Sequence, residues 1–141
     1  MIRFVGTVIL TLAGASLLSC QSYSTGLQQS LDSAGETSTI VTLKTISTTQ
    51  QTYAASHDGS YGSFQQLSEA GYLDSRFNST NPQIGIYVFS MNVGDKSFSC
   101  NADPAPGKTG SWRHFYIDST SDEIHANRTQ PATSTDPGLN Q

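Results

Sequence analysis

The stretch Gly85-Ile86-Tyr87-Val88-Phe89-Ser90-Met91-Asn92-Val93-Gly94-Asp95-Lys96-Ser97-Phe98-Ser99-Cys100-Asn101-Ala102 decides the fold. Apolar and polar residues alternate on both sides of Gly94-Asp95, the period of a strand with one buried face. Two such runs joined by a two-residue loop that begins with Gly read as a β-hairpin with a type II′ turn. That loop pairs Val93 with Lys96, Met91 with Phe98, Phe89 with Cys100 and Tyr87 with Ala102, all on one face. Ser90, Asn92, Ser97, Ser99 and Asn101 fall on the other, with Ile86 and Val88 as exceptions.

Beyond the Pro/Gly loop from Asp103 to Ser111, the segments Trp112 to Asp118 and Glu123 to Asn127 form a second predicted hairpin. Placing Ile117 opposite Ile124 and Phe115 opposite Ala126 gives it a consistent inner face. Trp112, His114, Tyr116 and His125 then share the outer one. Upstream, Leu43, Ile46, Gln50, Tyr53 and Ala54 lie within roughly 100° on a helical wheel, the stripe of an amphipathic helix between Glu36 and His57, with Val41 on the far side. Its many Thr residues lower its propensity, so packing has to hold it. Ser63 with Gln66 three residues on makes a capping box for a second, short helix with Phe64, Leu67 and Ala70 as anchors, and Gly71 stops it. Helices followed by a small antiparallel sheet of about four strands define an α+β domain with helix packed on sheet.

The chain has 141 residues and a formal charge of −4, with 13% of residues charged. The seven cations are scattered singly, whereas a nucleic-acid partner requires clustered Lys and Arg on one face, so nucleic-acid binding is excluded. Residues Met1 to Ser19 have the three parts of an export signal: Arg3 in a short head, an apolar run from Phe4 to Leu12, and small residues from Ala13 to Ser16. That run is too short for a stable membrane span. It is followed by Leu17-Leu18-Ser19-Cys20, which resembles the lipobox of bacterial lipoproteins. The resemblance implies diacylglycerol on the thiol of Cys20, cleavage before it, and a cell-envelope protein held to a membrane by lipid. Gln21, rather than Asp, after the cysteine implies sorting to the outer membrane where the organism has one. The chain thus divides into a leader, 1–19, a lipidated flexible tether, 20–35, a head, 36–127, and a disordered tail, 128–141.

Within the head, several segments resemble, in order, those of type IV pilin-like and pseudopilin C-terminal domains. They are Leu43-Lys44-Thr45-Ile46, Tyr53-Ala54-Ala55, Gly59-Ser60-Tyr61-Gly62, Glu69-Ala70-Gly71-Tyr72-Leu73-Asp74, Gly85-Ile86-Tyr87-Val88-Phe89, Gly107-Lys108-Thr109-Gly110 and His114-Phe115-Tyr116-Ile117-Asp118. The resemblance spans Val41 to Ala126 and implies a pilin-like head acting through protein contacts at a pilus or secretion machine. The chain departs from that family in lacking the long apolar helix that follows a Gly-ending leader, and in closing its last hairpin with Ser119-Thr120-Ser121-Asp122.

Trp112, His114 and Tyr116 on the outer face form a candidate partner-binding strip. Asp118, Thr120 and Asp122 repeat the first three ligand spacings of a calcium loop. Glu123 stands where its sharp turn wants Gly, however, and Thr129 where it wants a bidentate Glu, so the segment reads as a solvated acidic turn. His114 and His125 alone do not make a zinc site. His57 beside Asp58 reads as a helix end. No nucleophile motif and no cofactor motif is present, which makes a non-catalytic role the first reading. The alternative is a lipoprotein enzyme or small-ligand-binding protein with a site built from scattered loop residues. Cys100, inward in the hairpin, is expected to be a buried thiol.

The lipobox reading has a direct test. Cys20→Ser should abolish incorporation of a radiolabelled fatty acid and leave a leader-bearing precursor; label retained by the variant would refute lipidation at Cys20.

Overall fold

The computed structural model describes residues 19–108 and 110–139, with side chains from Ser30 onward. Residues 1–18 of the expected leader, 1–19, and the side chain of Cys20 therefore lie outside the described residues. The elements are α1 (Ser19–Ser56), α2 (Phe64–Glu69), a 3-10 turn (Ser75–Phe77), β1 (Gln83–Ile84), β2 (Tyr87–Val93), β3 (Phe98–Pro104), β4 (His114–Asp118) and β5 (His125–Asn127). The strands form one antiparallel sheet in the order β1-β2-β3-β4-β5, an α+β arrangement with one strand more than the sequence implies. The addition is β1, a two-residue edge strand pairing Gln83 with Val88 and Ile84 with Tyr87.

The α1 stripe packs on the inner face of the sheet as its periodicity requires. Leu43, Ile46 and Gln50 are fully buried, Tyr53 and Ala54 nearly so, and Val41 is exposed on the far side. Gln50 is a polar residue in this apolar seam, and its amide is matched on both sides. Its Nε2 donates to the Gly62 carbonyl at 2.7 Å, and its Oε1 accepts from the Gly62 N–H at 3.0 Å. The side chain thus does for an irregular loop what a neighbouring strand would do. At the other end of the contact Glu36 holds Arg113, with Oε1 accepting from the Arg113 N–H at 2.9 Å and Oε2 from Nε at 2.9 Å.

Residues 20–35, expected to be a flexible tether, are helical and continuous with the docked part of α1. Once the Glu36 end is fixed, each further residue adds one hydrogen bond without a new nucleation cost, and Gln and Ser tolerate the helix. The threonines adapt in a similar way: the hydroxyls of Thr37, Thr39, Thr42, Thr45 and Thr52 donate to carbonyls four residues back, satisfying themselves within the helix. α1 closes at His57-Asp58-Gly59, where Asp58 and Gly59 take positive φ and the Gly59 N–H reaches the Ala54 carbonyl at 2.8 Å. The Ser63 and Gln66 capping box is present on α2. The helix ends at Gly71, φ 79°, with the Tyr72 N–H on the Leu67 carbonyl.

The central hairpin differs from expectation by two residues. Val93 pairs with Phe98, Met91 with Cys100, Phe89 with Ala102 and Tyr87 with Pro104. The turn tip is Asp95-Lys96, flanked by a Gly94 N–H donating to the Ser97 carbonyl at 2.8 Å, and Gly94 is not among the glycines of positive φ. A type II′ turn at Gly94-Asp95 is thereby corrected. Because the strand period is two, a slip of two keeps each side chain on its face. Tyr87, Phe89, Phe98, Cys100 and Ala102 remain buried as expected. The second hairpin has the expected register, with Phe115 opposite Ala126 and Tyr116 opposite His125.

The described part of the tail, expected to be disordered, is folded against the sheet. Residues 128–139 fold back on β5, with Gly138 bridged to His125, Ala132 buried and Leu139 packed on the core. The sheet supplies the hydrogen bonds that the tail sequence, lacking periodicity, does not advertise.

Gln50→Ala should lower stability by about 3 kcal/mol, combining a cavity with two unpaired backbone groups on Gly62. Urea unfolding measures this, and a loss below about 1 kcal/mol would show that the Gln50 amide contacts are dispensable.

Candidate functional site

The register lays out the outer face of the sheet in cross-strand rows. One row runs through Asp103, His114 and Asn127, the next through Ser90, Asn101, Tyr116 and His125, and a third through Asn92, Ser99 and Asp118. The first row holds a close polar contact, with His114 Nδ1 2.6 Å from Asp103 Oδ1 and both side chains partly buried. In the second, Tyr116 lies against the His125 ring at 6.2 Å between centroids. Its hydroxyl donates to Asp118 Oδ2 at 3.0 Å in the third row. Asp118 Oδ1 accepts from the N–H groups of Thr120 and Ser121. Burial works to raise the Asp118 pKa, but those two bonds, the Tyr116 hydroxyl and the nearby His125 together hold it below the ordinary carboxylate value.

The candidate strip does not stay together. His114 and Tyr116 occupy the outer face, but Trp112 precedes β4, where strand alternation has not begun, and turns toward α1. Its ring lies against Gly35, where an added Cβ would stand 3.4 Å from it, and meets Tyr87 edge-on at 6.5 Å. There it forms one wall of a groove of about 320 Å³, with Leu31 and Gly35 of α1 opposite and Ile84, Ile86 and Phe89 along its floor and rim. Trp112 Nε1 is buried and has no partner among the described residues. Gly35, which reads as a helix breaker in sequence, is the place where α1 admits the indole.

The acidic turn is committed to structural contacts. Asp118 organises its own loop, while Asp122 accepts from Ser47 Oγ at 2.8 Å and pairs with Lys44 Nζ at 3.4 Å, tying the turn to α1. Among the described residues no three His, Cys, Asp or Glu side chains are grouped to hold a metal ion. At the end of α1, His57 stacks on Tyr53 at 3.7 Å, and its Nδ1 lies 2.8 Å from the Tyr53 carbonyl. Asp58 lies in the positive-φ turn beside it.

Two features of this region escape sequence reading. Glu36 and Arg113 are 77 positions apart and nothing in their spacing links them. The other is the cover on the outer face: Asn101 Nδ2 donates to the Ala132 carbonyl at 2.8 Å, and Asn127 Nδ2 to Asp136 Oδ1 at 2.8 Å, drawing the tail across the sheet. Comparison of the chain with protein-family models, with curated protein sequences and with solved structures finds no match.

Cys100 faces inward opposite Met91 and is fully buried. Burial, with a smaller contribution from Asp103, pushes its thiol far above the ordinary range, disfavouring the reactive thiolate. It should resist a thiol reagent under native conditions and react once urea unfolds the head. Rapid native labelling would mean that Cys100 is accessible and its side chain misplaced.

Proposed function

We propose that this chain is a lipid-anchored protein of the bacterial cell envelope whose non-catalytic, pilin-like head works through protein contacts near a pilus or type II secretion machine. The observation that carries this reading is the continuity of α1: one helix reaches from the lipobox cysteine into the core of the head. From Cys20 to Gly35 it is about 22 Å long at 1.5 Å per residue, so an anchor at Cys20 would hold the head on a stalk rather than a loose tether. Helix first and antiparallel sheet after, with α1 lying along the inner face, also accords with the pilin-like order of segments. A lipid anchor of two or three acyl chains, at about 0.8 kcal/mol per buried methylene, suffices for stable attachment without a spanning helix. Among the described residues no helix is long and apolar enough to cross a membrane.

The polarity of the stalk separates this protein from a filament subunit. Pilin assembly buries a long apolar helix in the filament centre. Between Gln21 and Gly35 only Tyr23, Leu27, Leu31 and Ala34 are apolar, too little area to offset the cost of ordering a buried helix. Mass spectrometry of sheared surface filaments should therefore find at most traces of the protein, with the bulk in the membrane fraction. Recovery from filaments at the stoichiometry of the major subunit would overturn the proposal.

A further inference from the structure

The edge of β5 has an occupant, and the occupant is the chain's own tail. The Ala126 N–H donates to the Pro137 carbonyl at 3.0 Å, and the Leu139 N–H to the Ile124 carbonyl at 2.9 Å. Between them Gly138 forms an isolated antiparallel bridge with His125, so 137–139 lie against the strand edge. The seat is selective at one position. A Cβ at Gly138 would meet only the Glu123 carboxylate, the end of a side chain that can swing aside, whereas the next residue, Leu139, contributes an apolar side chain to the core. His125 Nδ1 lies 2.7 Å from the Asp136 carbonyl, which can only accept, so that nitrogen carries the proton and clips the segment from the side. Ala132 is the other buried contact, fixed through Asn101.

We propose that this seat is exchangeable and also accepts the tail of a second copy, joining heads by strand addition along the β5 edge. The groups that hold the tail are backbone hydrogen bonds, short polar contacts and the apolar seats of Ala132 and Leu139, and a tail arriving from another chain can make each of them. An edge strand bonds any extended segment that meets its side-chain requirements, and the second copy meets them by identity. Pro131 and Pro137 restrict the tail when it is free, which reduces the ordering cost of docking it again. What favours the tail of the same chain is its short connection, equivalent to an effective concentration on the order of millimolar. Exchange therefore belongs to crowded conditions, such as many copies on one membrane surface. That setting rests on the envelope reading above, but the seat itself does not.

The test uses the full chain with its own tail unseated, Gly138→Val with Leu139→Asp, and a fluorescent peptide of residues 129–139. Anisotropy should show saturable binding to this variant, at least tenfold weaker binding to the unaltered chain, and no binding of a peptide carrying Leu139→Asp. If the double variant loses its cooperative melt, Leu139→Asp alone carries the same comparison. A folded variant that does not bind the peptide, or equal binding by variant and unaltered chain, would overturn the exchangeable seat. Neither result bears on lipidation at Cys20, which fatty-acid labelling reads separately.

Discussion

The docking of α1 on the inner face of the sheet is the contact on which the remaining structure depends. Neither partner is stable by itself. The helix is rich in Thr and Ser, and a small sheet with one apolar face must cover that face to exist in water. Leu43, Ile46 and Tyr53 meet Phe89, Phe115 and Ile117 in one core, from which α2 and the 3-10 turn add Phe64, Leu67 and Phe77. Two polar contacts mark the ends of the contact: Glu36 with Arg113, and Gln50 with the backbone of Gly62. The Gln50 contact is fully buried and the Glu36–Arg113 pair partly so, and a missing partner is costly in such places, so they fix how far along the helix the sheet sits.

That placement decides what the outer face can be. With the inner side of β3, β4 and β5 given to the core, their alternate residues align in polar rows, and the tail crosses those rows at Asn101 and Asn127. The head consequently shows a partly covered polar face on one side and an apolar groove beside Trp112 on the other. The expected strip is divided between these two surfaces, and a partner that touches His114 and Tyr116 meets a different chemistry from one that touches Trp112.

Periodicity made the inner face readable. Tyr87, Phe89, Phe98, Cys100, Ala102, Phe115 and Ile117 are identifiable by alternation alone, as is the α1 stripe by its helical spacing. Alternation is blind to a slip of two, so the register of the central hairpin needed the turn, and Gly94 suggested the wrong one. The second hairpin was legible because Ile117, Ile124, Phe115 and Ala126 leave one consistent pairing. Residues 20–35 and 128–139 misled for a common reason: their order comes from partners distant in sequence. Arg113 and Trp112 hold the region of Glu36 and Gly35, while Asn101, Asn127 and the β5 edge hold the tail. The candidate site inherited this difficulty, since the direction of Trp112 depends on where β4 begins.

Trp112 is the only tryptophan in the chain, and its ring rests on Gly35, at the boundary between the sheet-bound part of α1 and its N-terminal extension. The molecule therefore carries a natural optical gauge at its neck. If α1 lifts locally around Gly35, the indole passes from an apolar wall into water, and its emission moves to longer wavelength while Leu43, Ile46 and Tyr53 still close the core. Detachment of the N-terminal part of α1 and unfolding of the core can thus be followed as separate events in the unlabelled protein.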